Sequence, residues 1–131
     1  MTEVYIPKYF ALEELVPRSV YRERGHKGWE LLNPNLLRAL DELREVFGPI
    51  VVNNWAYGGR REWSGLRTED SPYGTRYSQH RFGNAADCLL GDVEGAREWV
   101  LAGNSSYITG VELDTSWLHI DVRNCKKIKT F

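Results

Sequence analysis

Cysteine is scarce in this chain. Only Cys88 and Cys125 occur among 131 residues, too few for a disulfide-stapled fold and without the C-x-x-C spacing of a thiolate zinc site. Both read as free thiols, and Cys88, directly after Asp87, as a small buried hydrophobe. Long apolar runs are also missing: nothing approaches the roughly 20 residues needed to span a bilayer, so no membrane span is expected. The opening "MTEVYIPKYF" has no basic segment followed by an apolar run, so the expectation is a product made in the cytoplasm without a signal peptide. Neither sign of charge is in excess. Seventeen Lys plus Arg stand against eighteen Asp plus Glu, for a formal charge of -1. That balance removes any global field toward nucleic acid or an anionic membrane and leaves recognition to local groups, with Lys126, Lys127 and Lys129 read as a solvated tail. Internal repeats, low-complexity tracts and linker-like runs are absent, so residues 1–131 are read as a single domain, with the oligomeric state open and a monomer expected.

What is present alternates between helical and strand patterns. "FALEELVP" predicts a short helix carrying Leu12, Leu15 and Val16 and ended by Pro17, followed by a polar loop through the surface residue His26. The clearest helix is "NPNLLRALDELREVFGP", where Asn33 caps, Pro34 takes the first turn, and Leu36, Leu37, Leu40, Leu43, Val46 and Phe47 form the apolar face. "IVV" at 50–52 reads as a buried strand, and "DVEGAREWVLAG" as a helix capped by Asp92 and ended by Gly103. "YITGVELDTSWLHIDVR" reads as a terminal hairpin turning at Asp114 and Thr115. The pattern predicts an α+β fold, a small antiparallel sheet packed with helices. Residues 54–79 have neither period, and a loop this long is usually functional or disordered. Trp55, Tyr57 and Trp63 argue against disorder: they either line a cleft for a peptide or sugar or form a minicore that fixes the loop.

The chemistry concentrates in "SQHRFGNAAD", residues 78–87. His80, Asp87 and the distant His119 are residue types that together make a mononuclear metal site, three side chains with a fourth position left open. Small residues between His80 and Asp87 let the backbone fold closely around an ion, and Ser78 is suited to hold His80 or the loop by a hydrogen bond. A histidine beside an aspartate is also a common hydrogen-bonded pair, so spacing alone leaves both readings open.

The stretch resembles the S-x-H-x-x-G-x-A-x-D signature of the zinc D-alanyl-D-alanine peptidase family, which shares its fold with hedgehog signalling domains. Ser78, His80, Gly83, Ala85 and Asp87 fall on it, and Trp117 with His119 matches the family's W-x-H on a strand. "FALEELVP", "LLRALDELREVFGPIVVNNW", "SGLRT" and "WLHIDVRN" extend the likeness to the phage and prophage branch over nearly the whole chain. The resemblance implies the hedgehog/DD-peptidase fold and one zinc ion (Zn2+) held by His80, Asp87 and His119. It also implies hydrolysis of peptide bonds in peptidoglycan stem peptides, by a DD-carboxypeptidase or an L-alanyl-D-glutamate endopeptidase. Arg67 falls where the family has an arginine that contacts substrate, a role its planar fork of donors suits. Ser78, Trp55 and Trp117 are the other candidate substrate contacts. The implied setting is the bacterial cell wall, reached as an endolysin, or a virion. The rival expectation is a non-catalytic zinc-stabilised phage structural or binding module.

One position departs from the family pattern. Many members carry the general-base glutamate three residues before the last histidine, and here that residue is Ser116. With a two-residue turn at Asp114 and Thr115, Glu112 faces Trp117, Gly110 faces His119, and alternation puts Glu112, Trp117, His119 and Asp121 on one face. Glu112 is therefore the expected base, lying diagonally from His119, with Asp114 as runner-up and Asp121 expected to hold a ring nitrogen of a liganding histidine.

Overall fold

The computed structural model describes residues 4–131, so the first three residues of the N-terminal stretch lie outside it. It contains three α-helices and a five-stranded sheet, a mixed architecture compatible with the α+β expectation. The helices are α1 (Arg18–Arg24), α2 (Pro34–Phe47) and α3 (Val93–Leu101). The strands are β1 (Ile50–Val51), β2 (Ala85–Leu90), β3 (Gly110–Val111), β4 (Leu118–Asp121) and β5 (Lys129–Thr130). None of the helices among the described residues is long and apolar enough to cross a membrane.

Helix α2 forms where local signals agree. The Asn33 side chain accepts from the Asn35 amide at 2.9 Å and Pro34 fills the first turn. Leu36, Leu37, Leu40 and Leu43 are all at most 1% exposed, each contributing about 1.5–3 kcal/mol by burial. Val46 departs from the expected face: it sits in the last turn, half exposed, while Phe47 packs edge-on against Trp99 of α3. Near the N-terminus, Leu12–Glu14 make only a 3-10 turn, and Pro17 opens α1 where the sequence suggested only a stop. Pro is well tolerated at a helix start, so the same residue ends one element and begins the next. The expected polar loop is instead α1 followed by a 3-10 stretch over Gly25–Leu31, anchored by buried Val20 and Trp29; His26 is exposed, as expected.

The sheet runs in the order β1-β2-β4-β3-β5 and is antiparallel except at one edge, where β5 pairs parallel to β3. The lysine-rich tail is thus bound to the sheet through the Lys129 amide, which donates to Thr109 O at 2.8 Å. Strand alternation divides the sheet into two faces. Ala86, Cys88, Val111, Leu118 and Ile120 join the α2 leucines and Val100 of α3 in the core, which confirms Cys88 as a buried hydrophobe. The opposite face presents Ala85, Asp87, His119, Asp121 and Gly110 in register: Asp87 lies across from His119, and Asp121 lies between Ala85 and Gly110.

The terminal hairpin is wider than expected. Gly110 pairs with Asp121 rather than with His119, a slip of two residues that replaces the tight turn with a connection over 112–117, Asp114 sitting at φ +60°. An even slip leaves every side chain on its original face. Glu112 therefore keeps its face but moves from the diagonal to a position directly across from His119, whose carbonyl accepts from the Glu112 amide at 3.4 Å.

Candidate metal centre

Three segments bring the ligand set together. His80 comes from a 3-10 turn, Gln79–Phe82, whose cap is Ser78: its side chain accepts from the His80 amide at 3.3 Å. Gly83 ends that turn at φ +72°, and a side chain there would run into the Leu31 carbonyl, so the motif glycine is needed twice over. Asp87 and His119 come from neighbouring strands. The Arg67 amide donates to the His80 carbonyl at 3.0 Å and the Asp87 amide to Ser64 O at 2.7 Å, so the 64–67 loop is sewn to both ligand segments.

Each imidazole is oriented by its outer nitrogen. His80 Nδ1 lies 2.9 Å from the Gly65 carbonyl, which can only accept, so Nδ1 carries the proton and Nε2 is left for a ligand role. His119 Nε2 lies 2.9 Å from Asp121 Oδ2, which leaves Nδ1 facing Asp87 Oδ1 at 2.9 Å. His80 Nε2 is 3.4 Å from the same Asp87 oxygen. One ligand atom from each of His80, Asp87 and His119 lies within 4.8 Å of the others. Two imidazole nitrogens and a carboxylate oxygen converging with their outer atoms already satisfied are chemically suited to hold a divalent metal ion. Asp121 plays the part expected of it, and its buried carboxylate is gripped in turn by Arg123, with Nε at 2.7 Å and Nη2 at 2.6 Å. Room for that carboxylate exists because Gly110 opposite it has no side chain.

The electrostatics follow from these contacts. Burial alone would raise the Asp87 carboxyl, but the hydrogen bonds and charge of His119 and His80 outweigh it and hold Asp87 well below the usual carboxylate range. Burial would lower His119, yet hydrogen bonds to Asp121 and Asp87 bring it up to about 9. Asp121 is likewise pushed up by burial and pulled further down, to about 2, by Arg123 and His119. Arg67 is lowered by its burial against the opposing pull of Asp87.

The cluster lies in a cleft of about 470 Å³ lined also by Arg67, Ser78, Glu112, Trp117, Arg123 and Phe131. Among the described residues, the Glu112 carboxylate has no hydrogen-bond or ion-pair partner. Arg67 Nε donates to Trp63 O at 2.7 Å and Nη2 to Asp87 Oδ2 at 3.3 Å, which fixes its plane beside the ligand carboxylate and leaves further donors of its fork uncommitted. Trp117 lines this cleft and an adjoining one with Trp63 and Tyr73.

Two candidates stand outside the cleft and a third is already engaged. Trp55 is not among the residues lining either cleft: its indole Nε1 donates to Val16 O at 2.9 Å and its ring packs on Tyr21 and Arg18, which makes it the minicore that fixes the loop. Asp114 is exposed in the wide turn and does not line the cleft. Ser78 lines the cleft, but its hydroxyl is engaged in capping the His80 turn.

Arg97, Arg123 and Phe131 matter here without having been singled out from sequence. Arg97 is buried on α3 and donates to the carbonyls of Glu112, Thr115 and Trp117, fastening the connection that carries Glu112. Phe131 packs edge-on against His119 with ring centroids 5.3 Å apart. The strand period of two offered a signal for Arg123, which follows His119 and Asp121 at that spacing; Arg97 offered none. Comparison with protein-family models, with curated proteins and with solved structures found no match.

Proposed function

We propose that this chain is a zinc-dependent peptidase hydrolysing peptide bonds in bacterial peptidoglycan stem peptides, similar to the zinc D-Ala-D-Ala peptidases and acting as an endolysin or from a virion. The observation that carries the reading is the convergence of His80, Asp87 and His119 ligand atoms within 4.8 Å of one another, in one cleft with Glu112 and Arg67. Glu112 lies directly across the strand pair from His119, a geometry in which an acidic side chain reaches the ligand cluster.

When bound, zinc polarises a carbonyl oxygen and makes a water acidic at neutral pH. Glu112 takes the proton of the attacking water and returns it to the leaving amine. The uncommitted donors of Arg67 hold the substrate carbonyl or a terminal carboxylate in a fixed plane. His80 and His119 keep their orientation through Gly65 O and Asp121.

The test joins zinc content with turnover of muropeptides, scored for both the D-Ala–D-Ala and the L-Ala–D-Glu bond. Wild type is expected to hold one zinc per chain and to cleave. Glu112→Gln is expected to keep the metal and lose about 10²–10⁴-fold in rate, while Asp114→Asn stays near wild type. Zinc retained by a wild-type protein that cleaves no muropeptide would sink the peptidase reading and leave a zinc-stabilised binding module.

A further inference from the structure

A second groove, of about 740 Å³, shares two lining residues, Arg67 and Tyr77, with the cleft of the candidate ligands. Its walls combine cations with apolar surface: Arg76 and Arg81 stand among Leu31, Leu66 and Phe82. Two buried donors border it without any partner, the Arg81 Nε–H and the Thr68 hydroxyl. Arg81 makes no ion pair or side-chain hydrogen bond with any described residue, although it follows the ligand His80 directly. This is unlike Arg61, Arg67, Arg97 and Arg123, all of which are committed to protein acceptors. Glu30 on the rim is taken by Arg24 at 3.2 Å and Glu69 is exposed, so the Arg81 charge is not neutralised from within the groove. Buried polar groups in folded proteins are nearly always satisfied, and two orphaned donors bordering one cavity beside a reactive centre call for an acceptor from outside.

We propose that this groove is a subsite for a peptide carboxylate, bound by Arg81 and Thr68 while the aliphatic part of the same residue lies on Leu66 and Phe82. The inference rests on the peptidase reading and names the substrate class more closely: stem peptides whose γ-linked D-Glu keeps a free α-carboxylate. A carboxylate offers two acceptor oxygens to two donors, and its negative charge meets Arg81, which has no counterion among the described residues, with Arg76 of the same groove likewise unpaired.

The experiment uses the full zinc-loaded chain with Glu112→Gln, so that binding is read without turnover. The probes are acetyl-L-Ala-γ-D-Glu-L-Lys and the same peptide with the D-Glu α-carboxylate converted to a carboxamide, titrated by calorimetry. The carboxylate form is expected to bind at least tenfold more tightly. Adding Arg81→Met, which keeps an apolar stem, or Thr68→Val is expected to bring it to the affinity of the amide while zinc content stays the same. Equal affinity for the two forms, absence of binding by both, or a preference that survives Arg81→Met overturns the subsite. The two readings part cleanly: cleavage of both peptides at equal efficiency by wild type refutes the groove and keeps the peptidase, whereas a carboxylate preference in a wild-type chain that cleaves neither these peptides nor a muropeptide ending in D-Ala–D-Ala refutes the peptidase and keeps the groove.

Discussion

Replacing Arg97 with methionine tests whether the Glu112 connection is held from below by a single side chain. The guanidinium is 6% exposed. It donates to Thr115 O and Trp117 O at 2.9 Å, and to Glu112 O and the Thr115 hydroxyl at 3.2 Å. Hydrogen bonds from a charged donor are worth about 1.5–3 kcal/mol each, so three carbonyls alone would suggest about 5–9 kcal/mol. That sum overshoots, because burying the guanidinium cost several kcal/mol that the variant recovers and methionine keeps the apolar stem covered. The pair with Glu94 adds nothing to the total, since that carboxylate is exposed. What remains is three carbonyls left short of a donor, and the expected loss is about 3–5 kcal/mol. For a chain of this length that corresponds to a fall of roughly 10–18 °C in melting temperature. Urea unfolding of the zinc-loaded protein measures the stability, and steady-state kinetics on muropeptides measures the consequence for Glu112. The rate constant kcat should fall at least tenfold with zinc content unchanged. Arg97→Lys should recover less than half of either loss, because one ammonium cannot span three separated carbonyls. A stability change under about 1 kcal/mol together with unchanged kcat would show that the 112–117 connection stands without Arg97.

Three other outcomes are expected. Asp121→Asn keeps an acceptor for His119 Nε2 but gives up the charge that fixes the ring and pairs with Arg123, so zinc affinity should weaken about 10–100-fold in competition with a chelator of known strength; an unchanged affinity would remove Asp121 from the site. In chelator-treated protein, His119 is raised from the ordinary 6.5 to about 9, so it binds its proton more tightly folded than unfolded. The stability this gives is fully present below about pH 6.5 and is lost as pH climbs through about 9, about 3 kcal/mol in all; melting curves between those limits measure it, and a flat profile would contradict the His119 contacts. Trp55→Phe should cost about 1 kcal/mol through the lost bond to Val16 O and leave KM for muropeptides within about twofold, whereas a large rise in KM would return Trp55 to the substrate cleft.

How much could be read from the chain alone depended on the range over which each feature is determined. Helix α2 was legible because Asn33, Pro34 and the leucine spacing act within one or two turns of each other. Helix α1 was not, since its sequence is almost wholly polar and what holds it down is distant in the chain: Tyr21 packs on Trp55 and Arg18 pairs with Glu62, beside buried Val20. The ligand loop declared itself through Gly83 and the small residues near Asp87, but the step that joins it to His119 is a strand pairing between residues 32 positions apart, and only the family resemblance reached across that gap. The hairpin shows why a partly wrong expectation still located Glu112. Its register was off by two residues, an error that a side-chain period of two cannot detect, so the face was right while the partner was wrong. The same period, followed one step beyond Asp121, reaches Arg123 and could have supplied the counterion of the His119–Asp121 pair. No period reaches Arg97, because its acceptors are carbonyls of an irregular connection on another part of the chain, and these bonds hold the backbone that carries Glu112.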